Sequence, residues 1–94
     1  MEKRPGKGLM WYVYLLYCAD GTLYCGVTTD VTRRLEEHNA GSRGARYTRS
    51  RRPVRLACCA TRADRASAQR LEWEVKRQPR ARKIAFLQAR AAEG

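Results

Sequence analysis

Apolar and polar positions alternate along the chain in a way that predicts six elements. Residues 10 to 18, MWYVYLLYC, are almost continuously apolar and rich in strand-forming aromatics, as in a strand covered on both faces. Residues 22 to 28, TLYCGVT, predict a second strand. The turn between them decides which side chains share a face. A two-residue turn at Asp20 and Gly21 would set Tyr17 opposite Tyr24 and mix apolar with polar residues on both sides. A three-residue loop, Ala19-Asp20-Gly21 with Gly21 left-handed in a G1 bulge, instead pairs Leu16 with Tyr24 and Tyr14 with Gly26. That register separates the faces and is the one expected: Val13, Leu15, Tyr17, Leu23, Cys25 and Val27 form one side, while Tyr12, Tyr14, Tyr24, Gly26 and Thr28 share the other. Because Gly26 has no side chain, the position opposite Tyr14 is expected to lie open to an approaching group.

The next segment, DVTRRLEEHNAG, predicts a helix with Asp30 as N-cap, Val31 and Leu35 facing inward and Gly41 as stop. Residues 41 to 53, GSRGARYTRSRRP, are polar, contain two glycines and read as an Arg-rich loop. A third strand is expected over 54 to 61, VRLACCAT. Asp64 then caps a helix running to about Gln78, where Pro79 ends it, and a last helix over roughly 80 to 91 packs through Ile84 and Leu87. The predicted fold is α+β: a small three-stranded antiparallel sheet flanked by three helices, in the order β-β-α-β-α-α. Ninety-four residues suit a single domain, with its core at about 10 to 88 and residues 1 to 9 as a flexible tail.

Charge adds a partner to this picture. Twenty Lys and Arg against nine Asp and Glu leave a net charge of +11, which points to a polyanion, DNA or RNA. The competing source of that charge is codon bias, since 16 of the 20 basic residues are Arg. No stretch approaches the roughly 20 apolar residues of a membrane span, and MEKRPGKG leads into a strand-like run with no signal-peptide pattern. No membrane contact and a cytoplasmic location are expected. Cys18, Cys25, Cys58 and Cys59 contain no CxxC pair, so reduced, packed thiols are expected instead of a zinc or dithiol site.

Several polar residues stand out against this scaffold. Tyr14 and Tyr24 share a sheet face beside Gly26. Arg34 and His38, the only histidine, are four apart on one face of the first helix, rotated about 100° from the Val31 and Leu35 stripe, and so are expected along the edge of the sheet. Ala68, Leu71 and Val75 define the apolar stripe of the second helix, with Glu72 at its border. A carboxylate there reads equally as a partly buried ion pair, with Arg34 for example, or as a metal ligand.

Order and spacing of these residues resemble the GIY-YIG endonucleases over about residues 10 to 88. Tyr12-Val13-Tyr14 stands where that family has Gly-Ile-Tyr, and Tyr24-Cys25-Gly26 where it has Tyr-Ile-Gly. Nine residues separate Tyr14 from Tyr24; Arg34 follows Tyr24 by ten and His38 by fourteen. Glu72, within RLEWEVK, is similar to the family's metal-binding glutamate, and RYTRSRRPV resembles the small stand-alone bacterial branch. The first motif lacks its glycine. Many active relatives carry a polar residue, often Asn, near the last helix, whereas Asn39 is the only Asn here.

The resemblance implies a metal-dependent endonuclease that hydrolyses DNA with low sequence specificity or by structure, acting in repair or recombination. A catalytically inactive DNA- or RNA-binding module of the same fold is the alternative. It further implies one Mg²⁺ or Mn²⁺ held by Glu72, with Arg34 as an electrostatic fork on the scissile phosphate. Tyr14 is the candidate to position or deprotonate water, Tyr24 to hold the phosphate, and His38 the alternative proton acceptor. Arg43, Arg46, Arg49, Arg51 and Arg52 are expected to meet distant phosphates, with Tyr47 free to stack on a base. A protein partner is the expected source of specificity.

Overall fold

The computed structural model describes residues 10–93; the tail expected over residues 1 to 9 lies outside them. Three strands, β1 (Trp11–Tyr17), β2 (Leu23–Thr28) and β3 (Arg55–Arg62), form one antiparallel sheet in the order β2-β1-β3. The helices are α1 (Val31–Asn39), α2 (Arg46–Arg49), α3 (Arg65–Lys76) and α4 (Arg80–Glu93).

The hairpin takes the bulged register. Tyr14 pairs with Gly26 and Leu16 with Tyr24, the Gly21 amide donates to the Cys18 carbonyl at 2.9 Å, and Gly21 adopts φ +86°. An L side chain would be strained at that angle, which is why glycine stands there.

Both faces of the sheet are covered. On one, Val13, Leu15, Cys25 and Ala60 pack against Ala68, Leu71 and Val75 of α3 and Leu87 of α4. Ile84 supports them from the same side. On the other face Tyr14, Leu16, Cys18 and Val54 form a smaller cluster with Tyr24, Leu35 and Cys59. The near-continuous apolar run of β1 follows from its central place between these two layers. All four cysteines are free thiols.

Local chemistry sets the helix starts as expected. The Asp30 carboxylate accepts from the Arg33 amide at 3.0 Å, and Asp64 accepts from the Ser67 amide at 2.8 Å, each satisfying one orphan donor of a first turn. Among the described residues no helix is long and apolar enough to cross a membrane.

Two features depart from the sequence reading. The Arg-rich stretch is not a plain loop, for it contains the single turn of α2. Pairing between β1 and β3 also slips between Leu15 and Leu16, leaving Ala57 as an extra residue opposite them; such a bulge bends the strand.

Candidate active site

The polar centre is built on the smaller face of the sheet. Tyr14 points from the middle strand and is only 2% exposed. Its ring occupies the space above Gly26: a Cβ at Gly26 would lie 2.5 Å from the phenol oxygen and 2.7 Å from Cζ. The gap opposite Tyr14 is therefore filled by Tyr14 itself, and is not open as the sequence suggested. Gly26 is needed for close packing of that ring. Gly26→Ala is expected to force it aside and destabilise the domain by about 1–3 kcal/mol, the usual cost of overpacking, measurable by urea unfolding.

His38 departs further from expectation. Placed by its spacing along the sheet edge, it is fully buried, because the chain from Gly44 to Thr48 closes over it. Tyr14 Oη lies 2.9 Å from His38 Nε2, and Thr48 Oγ1 lies 2.8 Å from His38 Nδ1. Thr48 donates its own proton to the Ala45 carbonyl at 3.0 Å. Its oxygen is then free to accept from Nδ1–H, which leaves the Nε2 lone pair to accept from the Tyr14 hydroxyl. The Ala45 amide nitrogen is 3.4 Å from the same Nδ1, at the outer limit of a hydrogen bond, so the shorter Thr48 contact decides the tautomer. Burial, reinforced by the Arg34 charge, lowers the His38 pKa to about 4, so the ring is neutral at pH 7. Burial, and secondly Tyr24, push the Tyr14 phenol well above the ordinary tyrosine range, against the opposing pull of Arg34.

The other residues gather around this pair. Tyr24 lies with its ring centre 6.3 Å from that of Tyr14 and 5.1 Å from that of His38. Arg34 Nη1 donates to Glu37 Oε1 at 2.9 Å and to the Arg43 carbonyl at 2.8 Å. Those bonds fix the guanidinium against α1 while leaving Nε and Nη2 for other partners. Its positive charge also acts on Tyr14.

Glu72 approaches from α3 on the far side of the β2 edge. It does not pair with Arg34; Lys76 Nζ sits 3.2 Å from its Oε2, and its side chain is 22% exposed. Its charge reaches the β2 edge, where burial first and Glu72 second push the Cys25 thiol up to about 12. Burial likewise raises Tyr24, with a smaller upward contribution from Glu72.

The Arg-rich segment divides into two groups. Arg51 Nε pairs with Asp20 at 2.8 Å while Nη1 donates to the Tyr47 carbonyl. Arg52 donates to the carbonyls of His38 and Gly41, closing the C-terminal end of α1. Both are braces of the fold. Arg43, Arg46 and Arg49 are exposed, and their side chains make no hydrogen bond or ion pair among the described residues. Tyr47 is already stacked on Tyr24, ring centres 6.0 Å apart and 26° from parallel, with the Arg51 guanidinium 3.9 Å from its centroid.

Sequence reasoning missed Thr48 and Lys76 altogether. Thr48 has no apolar periodicity to mark it, whereas Lys76 four residues after Glu72 was an available signal. Asn39 is bound to the Val54 backbone, its side chain accepting from the amide at 2.7 Å and donating to the carbonyl at 2.9 Å. It is therefore no substitute for a polar residue at the last helix.

An α+β domain that packs a phenol pair and an imidazole beside a guanidinium on one sheet face, with a carboxylate across the adjacent β2 edge, is the class these observations define. A family model described as the GIY-YIG catalytic domain matches residues 10–85. The chain belongs to the GIY-YIG family, a nuclease superfamily whose domain implies a DNA substrate. Similar proteins include a UPF0213 protein from Nitratidesulfovibrio vulgaris, 56% identical over 78 residues covering 83% of this chain and 70% of that one. Another, from Desulfotalea psychrophila, is 49% identical over 79 residues, 84% of this chain and 72% of the relative. Among solved structures, a solution NMR structure of a protein from E. faecalis matches with a TM-score of 0.62 at 38% identity, covering all of this chain (100%) and 95% of that one. A UPF0213 protein from Bacillus halodurans matches with a TM-score of 0.53 at 41% identity, covering 87% and 86% of the two chains.

Proposed function

We propose that the chain is a metal-dependent endonuclease that hydrolyses DNA phosphodiester bonds with low sequence specificity, in DNA repair or recombination. The observation that carries this reading is the hydrogen-bonded series Thr48–His38–Tyr14 ending beside Arg34 and Tyr24.

A phenol this far above its ordinary range holds no standing negative charge, so Tyr14 works as a relay. As water attacks phosphorus, the Tyr14 oxygen takes a proton from the water while its own passes to His38 Nε2. His38 is fully buried, so it meets substrate only through Tyr14, and the two candidates for general base become one unit. Thr48 holds the ring in the tautomer that accepts. The unspent N–H groups of Arg34 face charge that builds on the phosphoryl oxygens, and Tyr24 supports the same oxygens from the β2 edge.

Glu72 is the carboxylate that would hold Mg²⁺ or Mn²⁺. The fit rests on the cation it already attracts: the Lys76 ammonium sits on Glu72 as an i,i+4 pair with the lysine side chain 55% exposed. Helical i,i+4 pairs are worth about 0.3–0.5 kcal/mol, so a divalent ion would displace Lys76 at little cost. One carboxylate is enough for a magnesium ion that keeps waters and a substrate phosphate in its shell. Bound there, the ion supplies Lewis-acid stabilisation of the leaving oxygen. Away from the cut, Arg43, Arg46 and Arg49 supply phosphate contacts that read no sequence.

The test is incubation with branched, single-stranded and duplex DNA in Mg²⁺ or Mn²⁺ against EDTA. Wild type is expected to cut only with the metal, and Glu72→Gln to bind DNA as wild type does but not cut it. Binding without cleavage by wild type under every metal condition would leave an inactive nucleic-acid-binding module.

A further inference from the structure

Helix α3 carries a second feature on the side turned away from the sheet. Its buried stripe is Ala68, Leu71 and Val75. At about 100° per residue, Glu72 and Lys76 lie on one flank of that stripe, Ser67, Arg70 and Glu74 on the other, and Trp73 projects outward between them. Trp73 is 59% exposed, the most exposed large apolar side chain among the described residues. An indole left in water has no role in the core. Its helical neighbours one turn away are Gln69, Arg70, Lys76 and Arg77, three of them cations. The Arg77 guanidinium lies 4.6 Å from the ring centre, covering one face.

Arg70 links this indole to a cleft of about 430 Å³, lined also by Arg62, Ser67, Glu74 and Arg90. Two guanidinium groups, those of Arg62 and Arg70, against the Glu74 carboxylate leave the cleft suited to an anion. A flat ring with one open face, cations around it and a basic cleft one side chain away are the parts of a single-strand site: a stacking platform for a base and a seat for the adjoining phosphate.

We propose that the outer face of α3 binds an unpaired strand, with Trp73 stacking on a base and Arg62, Arg70 and Arg77 taking the flanking phosphates. The contact itself stands apart from catalysis. Resting on the nuclease reading, the contact favours DNA that carries an unpaired strand, because Glu72 stands on the flank of the same helix.

Binding of the full chain to a fluorescein-labelled thymidine strand of about 20 nucleotides, to the matching blunt duplex and to a flap is measured in EDTA, where no cutting occurs. Trp73→Ala is expected to weaken single-strand and flap binding about tenfold, the loss of one stacked base, with Trp73→Phe retaining most of the affinity and duplex binding within about twofold. Arg62→Gln combined with Arg70→Gln is expected to flatten the single-strand salt dependence by about 1.4 in log–log slope. Unchanged single-strand affinity in Trp73→Ala overturns the proposal, as does an equal loss on blunt duplex. So does a shift of Trp73→Ala alone to a smaller species on size-exclusion, which would make the face a contact between protein copies. Failure of wild type to cut any DNA, with the Trp73 effect on binding present, removes the nuclease reading and leaves the strand contact.

Discussion

Tyr14→Phe is expected to slow DNA cleavage about 10³-fold, within the range that removal of a general acid or base produces, while DNA binding changes less than about twofold. The variant keeps the ring that fills the gap over Gly26 and deletes only the oxygen that bonds His38. Water then has no route for its proton into the buried imidazole, because His38 is sealed from solvent. Arg34, Tyr24 and the exposed arginines of the 41–53 segment are untouched, so affinity persists. His38 Nε2 loses its partner, at a cost of about 1–3 kcal/mol for a buried unsatisfied group, which calls for single-turnover cleavage assays well below the melting temperature. A variant that cuts at the wild-type rate would place the general base elsewhere and dissolve the Tyr14–His38 unit.

The elements were legible because their signals are local. Turn chemistry at Ala19-Asp20-Gly21 and the demand that apolar residues share a face together gave the register that pairs Tyr14 with Gly26. Caps at Asp30 and Asp64, the breaker Pro79 and the stripe of α3 are likewise short-range. Of the candidate site, Tyr14, Tyr24, Arg34, His38 and Glu72 were nominated by an order and spacing that resemble a known family; the fold packs Tyr14, Tyr24 and His38 together under the Arg34 charge and leaves Glu72 across the β2 edge, paired with Lys76.

What could not be read is how the centre is enclosed. Burial of His38 depends on residues 44 to 48 folding back across α1, and Gly44 is what permits the approach: a Cβ there would lie 2.7 Å from both the Glu37 carbonyl oxygen and His38 Cα. Nothing in the polarity of that stretch announces the return. The same fold-back sorts five arginines of similar sequence context into two braces and three cations without a partner among the described residues, since only Arg51 and Arg52 end within reach of Asp20 and of the carbonyls at and just beyond the end of α1. Periodicity reports which face a residue occupies on its own element. It is silent on what a distant segment lays over that face.

His38 also ties stability to pH, with a sign fixed by its surroundings. Arg34 and Arg52 face it with positive charge, Glu37 partly opposes them, and burial dominates, so the folded state favours the neutral ring. An unfolded chain takes up the proton near pH 6.5, whereas the folded one resists until about pH 4. Stability from this group is thus complete above pH 6.5 and drains away as the pH falls towards 4, by about 3 kcal/mol. Asp20, Glu37 and Asp64 are all held below their ordinary values, mainly by hydrogen bonds. Their share is present above the ordinary carboxylate range and lost below it, so it adds to the decline only at the acid end. Comparing urea unfolding of wild type and His38→Gln at pH 7, 5.5 and 4.5 isolates the histidine: the variant should be flatter between the first two values, and an identical slope would mean that His38 titrates normally in the folded protein. His38→Ala should lose about 3 kcal/mol even at pH 7, because it opens a cavity and strands both the Tyr14 hydroxyl and Thr48 Oγ1. For a domain with about 5–10 kcal/mol in total, that is enough to make the proton relay and the fold inseparable by alanine scanning, which is why the glutamine and phenylalanine variants are the ones that discriminate.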